Sequence, residues 1–145
     1  MTTAKLLGLT LLGSASLVVT AASAQTANDG GKRFTVTMIG AEEVPGPGDP
    51  DGTGTAVITI NRGQQRVCWD ITVSGVDTIT TAHIHIGLDG QGFAGNIVVP
   101  LDPDTGCTSV TNASLLDALL KAPQAFYVNV HNAAFPGGAL RGQLG

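Results

Sequence analysis

From Phe34 onward the chain alternates: Phe34, Val36 and Met38 are separated by Thr35 and Thr37, the period of two that turns one face of a strand to a core and the other to water. Val-, Ile- and Thr-rich runs of the same kind recur over Thr53 to Asn61, Arg66 to Ser74, Ile79 to Ile86, Asn96 to Leu101, Ala125 to Asn132 and Ala139 to Leu144. Turn-forming residues separate them. Pro45 to Gly52 forbids regular structure, Arg62-Gly63-Gln64 reads as a hairpin joint, and Gly87 to Gly95 is a Gly-rich loop. Asp102 to Gly106 and Phe135 to Gly138 read as further turns. One segment has the helical period instead: Asn112 can cap it, Leu115, Leu116, Leu119 and Leu120 share a face, and Pro123 stops it. The pattern predicts an all-β, antiparallel, Greek-key-like sandwich or barrel of about eight strands, with one short helix near residues 113–121.

The start of the chain carries a different signal. Met1 to Lys5 is short and positively charged, Leu6 to Thr20 is an apolar run, and Ala22-Ser23-Ala24 is a small-x-small triplet before Gln25. That order is the signature of secretory processing, so residues 1–24 are expected to be a signal peptide, 25–32 a flexible leader, and 33–145 one β domain. The apolar run of 15 residues falls short of the ~20 that cross a bilayer, so no membrane span is expected in the mature chain. Gln25 stands where a lipoprotein would need Cys. The expected location is periplasmic or secreted.

Export changes the meaning of charge and cysteine. Without Lys5 the chain keeps 6 Lys and Arg against 11 Asp and Glu, and no basic stripe is available to grip phosphates, so nucleic acid is not an expected partner. Cys68 and Cys107 lie in an oxidising compartment, without a CxxC spacing or a neighbouring His, and are expected to form a structural disulfide.

Three stretches in the C-terminal half are more specific. Ala82-His83-Ile84-His85-Ile86-Gly87, Val98-Val99-Pro100-Leu101, and Tyr127-Val128-Asn129-Val130-His131-Asn132 followed by Phe135-Pro136-Gly137-Gly138-Ala139-Leu140-Arg141-Gly142-Gln143-Leu144 resemble the CHRD domain, the module repeated in chordin and found singly in many bacterial exported proteins. Glu42-Glu43-Val44-Pro45 fits the opening of the same family, and the resemblance runs from about Phe34 to Leu144. It implies a compact β module of the extracellular space, and chordin's growth-factor antagonism does not travel with it.

All three histidines fall inside those motifs. In a strand His83 and His85 share a face, and so do Tyr127, Asn129 and His131. If the two strands are neighbours, three imidazoles converge, a donor set suited to zinc or copper. The plain alternative is a polar network of hydrogen-bonded side chains. Arg141, between Leu140 and Gly142, is expected to be covered and to pair with Glu43 as a structural ion pair. Asp49-Pro50-Asp51-Gly52 and Asp102-Pro103-Asp104 lack the run of oxygen ligands of a calcium loop and read as turns. No nucleophile elbow, zincin helix or phosphate loop is present, and no catalytic residue is assigned. The resulting expectation is an exported cell-envelope β module with a binding or structural role, its partner a protein or polysaccharide of the envelope. The alternative is a copper- or zinc-binding protein, or small metalloenzyme, built on His83, His85 and His131.

Overall fold

A computed structural model describes residues 30–88 and 92–145. The proposed signal peptide and residues 25–29 of the leader lie outside the described residues, as do 89–91 in the Gly-rich loop. Eight strands run in chain order: β1 Lys32–Ile39, β2 Thr53–Asn61, β3 Arg66–Ser74, β4 Ile79–Ile86, β5 Ile97–Leu101, β6 Thr105–Ser109, β7 Phe126–Asn132 and β8 Leu140–Gln143. One helix, α1, spans Ala113–Lys121. Lys32, placed in the leader by its polarity, is the first residue of β1.

All the strands form one antiparallel sheet in the order β5-β4-β7-β8-β1-β2-β3-β6. Its edge strands β5 and β6 lie against each other without pairing, so the sheet curls into a nearly closed barrel. The alternating residues Val36, Met38, Ile58, Ile60, Val67, Trp69, Ile84, Val128, Val130 and Leu140 fill the inside. Leu116 and Leu119 of α1 join that core, while Asn112 accepts the amide of Leu115 and closes the helix start. Among the described residues no helix is long and apolar enough to cross a membrane.

Two features depart from the sequence reading. Thr105 and Gly106, assigned to a turn, begin β6, because Arg66 to Asp70 of β3 offers a free edge on which Thr105 to Ser109 completes a ladder. Cys68 and Cys107 are register partners in that ladder and are joined by the expected disulfide.

The other departure positions the site. β7 is covered on both faces: Phe126, Val128 and Val130 point into the barrel, yet Tyr127 and Asn129 on the outer face are buried too. Loops supply the outer cover. Arg141 Nη2 donates to the Leu88 carbonyl at 3.2 Å, and Gln143 Nε2 donates to the Gly87 carbonyl at 2.7 Å, pinning one loop across β7 and β8. The loop after β7 folds back so that the Ala139 carbonyl accepts the Asp49 amide at 2.8 Å, drawing in the Pro- and Gly-rich segment after β1. Gly138, at φ +141°, lies where any Cβ would strike the Glu43 carboxyl, so this crossing demands glycine.

Candidate functional site

The wall made by β4, β7 and β8 carries a polar layer between the barrel and its outer loops. Register builds it: His83 lies opposite Asn129, His85 opposite Tyr127, and Asn129 opposite Arg141 on the far side. The histidines of β4 and the last histidine of β7 therefore meet, as the shared faces required. One ring nitrogen from each of His83, His85 and His131 lies within 4.8 Å of the others.

The rings are individually held. His85 Nδ1–H donates to the Gly95 carbonyl at 2.7 Å, and the Gly95 amide donates to the Tyr127 hydroxyl at 3.0 Å. His131 Nδ1–H donates to the Pro136 carbonyl at 3.1 Å. Those bonds fix the Nδ1–H tautomer in both rings, the carbonyl support that metal-ligating histidines commonly have; the Nε2 lone pair of His85 has no partner, and that of His131 accepts from His83 Nδ1–H unless an ion takes the place of that proton. His83 Nδ1 lies 3.2 Å from His131 Nε2. Two nitrogens about 2.0–2.1 Å from a tetrahedral zinc would be about 3.3 Å apart, so this pair already has ligand spacing. Bringing the widest pair to that spacing takes a shift of about 1.5 Å, within reach of small side-chain rotations.

Protons are disfavoured here. Burial lowers the pKa of His83 to about 4, helped by the charges that His131 and His85 would carry. Burial likewise lowers His85 and His131, with the Arg141 guanidinium adding to the effect at His85 and the carbonyl bonds opposing it at both. Neutral imidazole is the form that binds metal.

The rest of the layer is a stack. Tyr127 lies parallel to His85, with ring centroids 4.8 Å apart, and the Arg141 guanidinium sits 3.6 Å from the centre of the same ring. Because β4 and β8 flank β7, the tyrosine is sandwiched between the two. Arg141 is covered as expected, at 3% exposure, and Glu43 is buried as well, at 5%. They do not form the direct ion pair the sequence led us to expect. The physical reason is Tyr127, whose face holds the guanidinium while the Leu88 carbonyl accepts a hydrogen bond from it. An ion pair does form at the surface, between Arg62 and Asp117. Glu43 still feels Arg141 through space, but burial dominates and raises its pKa to about 7, against Arg141, the Val44 amide and Asn129. Arg141→Ala should therefore lower stability by about 1 kcal/mol or more, through lost stacking and an unanchored loop, and Arg141→Lys should not restore it because an ammonium cannot stack as a plane. Urea unfolding of the two variants checks this: full rescue by lysine would show that charge alone matters.

The alternation in sequence places Tyr127 and Asn129 on the histidine face without giving either a task. The carbonyls of Gly95, Pro136 and Leu88 have no sequence signal, because any residue offers a carbonyl and only the loop path decides where it points.

A family model described as the CHRD domain matches residues 34–144. No curated protein and no solved structure matches the chain.

Proposed function

Because the chain belongs to the CHRD domain family, a binding or structural module, and carries three converging imidazoles on its barrel wall, we propose that it is an exported module that binds one zinc or copper ion through His83, His85 and His131. The observation that carries this is the convergence of the three ring nitrogens, two of them backed by backbone carbonyls on the opposite side of the ring. A polar network of neutral rings accounts for the His83–His131 contact but leaves the buried His85 Nε2 without a donor, a place that an ion among the three rings would fill. Export is proposed on Met1 to Ala24 and fits a disulfide-linked domain.

Elemental analysis of the chain purified from periplasm or medium, after equilibrium dialysis against Zn²⁺ or Cu²⁺, tests the site. About one equivalent is expected in the wild type and less than a tenth in His85→Ala, with the far-UV circular dichroism of both unchanged. A folded wild type that retains no metal after dialysis sinks the proposal.

A second reading rests on a separate observation. Ile86, Leu88, Phe93 and Ile97 are large apolar residues left exposed around the β4–β5 connection. They give a metal-independent module a surface for an envelope protein or polysaccharide.

A further inference from the structure

Two hydrogen-bond acceptors meet beside the histidines with no donor between them. His85 Nε2 and Asn129 Oδ1 are both buried, and neither has a hydrogen-bond partner. Asn129 is 3% exposed, faces His83 directly across β4 and β7, and lies within hydrogen-bonding influence of the rings of both His83 and His85. A buried lone pair without a partner is destabilising, and two near each other also repel.

No proton in the cluster relieves them. Each neutral imidazole has one N–H. That of His85 goes to Gly95, that of His131 to Pro136, and His83 Nδ1 faces His131 Nε2. Turning the amide over would give its NH₂ to the rings, but Glu43 stands at the other end, and its carboxyl offers an acceptor oxygen to that NH₂ in either protonation state. A donor placed between them, either a cation or a water, satisfies both acceptors, and the ligand-like spacing of the neighbouring ring nitrogens favours the cation.

We propose that the side-chain oxygen of Asn129 is the fourth donor to the ion, completing a set of three imidazole nitrogens and one amide oxygen. This rests on the metal reading above and specifies it. Glu43 becomes a positioning residue, which acts by holding the amide with its oxygen toward the histidines. The donor set also selects. Imidazoles suit Zn²⁺ and copper alike, and a hard amide oxygen is better tolerated by a divalent ion than by Cu⁺, which prefers soft sulfur. The site is thus expected to discriminate by oxidation state as well as by metal.

The test compares wild type, Asn129→Leu, which is close in size but offers no oxygen and excludes water, and Asn129→Asp, which keeps the oxygen and adds charge. Zn²⁺ and Cu⁺ affinities are measured by chelator competition, Cu⁺ under ascorbate so that the disulfide survives, and Co²⁺ loading reports the ligand set through its visible bands. Asn129→Leu should bind Zn²⁺ at least about 10-fold more weakly, matching or exceeding the loss caused by removing an outer-shell partner. Its Co²⁺ bands should shift, and its Cu⁺ affinity should stay within about twofold of wild type. Asn129→Asp should bind Zn²⁺ more tightly, which also covers the case in which the leucine variant fails to fold. Cobalt bands superimposable on those of wild type in Asn129→Leu, or a Zn²⁺ affinity in Asn129→Asp equal to or below that of wild type, would overturn the assignment while leaving three-histidine binding intact. A wild type that binds none of the three ions fails the earlier proposal instead.

Discussion

Replacing Cys68 and Cys107 by alanine together should cost about 4 kcal/mol of unfolding free energy, the value chain entropy assigns to a closed loop of this size. The sequence separation of 39 encloses β5 and β4, the latter one of the two strands that bear the histidines. The link also ties down β6, which has β3 as its only partner in the sheet. Without it the unfolded chain gains the freedom of the whole segment, and the folded chain keeps a five-residue edge strand held by a single ladder. For a domain whose total stability is of the usual 5–15 kcal/mol, that is a large share. Urea unfolding at pH 7 measures it, with alanine chosen because Cys68 is buried and a serine hydroxyl would add its own cost. A difference under about 1 kcal/mol would show that β3 and β6 already hold the ends together in the unfolded ensemble.

Elements whose burial follows the period of two were legible in the sequence. Val36 and Met38 of β1 and Ile58 and Ile60 of β2 are core residues, and the leucine stripe of α1 buries Leu116 and Leu119. Thr105 to Ser109 was not legible as a strand: Thr, Gly, Cys, Thr and Ser present no apolar face, and the segment is extended because β3 templates it. Strand order was hidden for a related reason. That β8 lies beside β1, and β4 beside β7, depends on contacts between sequence-distant segments that no local pattern records.

The same division runs through the site. Alternation puts His83 with His85 and Asn129 with His131, but only register brings the two pairs together, and one residue of slip would send a pair into the barrel. The pairing proposed for Glu43 and Arg141 correctly required both to be covered. It missed that β7 would put an aromatic face between β4 and β8, a better seat for a guanidinium than a carboxyl that burial inclines to neutrality.

Acid should unfold the metal-free protein in a window the histidines set. In the unfolded chain an imidazole takes its proton near 6.5, whereas folded His83 resists until about 4, and His85 and His131 are lowered as well. Between those limits the unfolded state binds more protons, so stability is full above about pH 6.5 and is lost as pH falls toward 4. Glu43 acts in the opposite sense: its folded pKa of about 7 lies above the ordinary 4.5, so it favours the folded state at low pH and loses that contribution as pH rises through 7. Three rings against one carboxyl leave the net loss on the acid side. Zinc, binding only the folded form, should raise stability by about 2.7 kcal/mol when present at 100 times its Kd. That increment should persist to below pH 6, because the proton that competes for His83 arrives only near pH 4, whereas an exposed three-histidine site would already be losing its ion at 6.5. Thermal melts of stripped and zinc-loaded protein from pH 4 to 8 decide the matter. The stripped protein should melt lower with each step below 6.5, and His85→Ala should flatten that slope and abolish the zinc increment. A zinc increment that has already collapsed by pH 6.5 would mean that water reaches the rings and that the loop over β7 is not the cover it is taken to be.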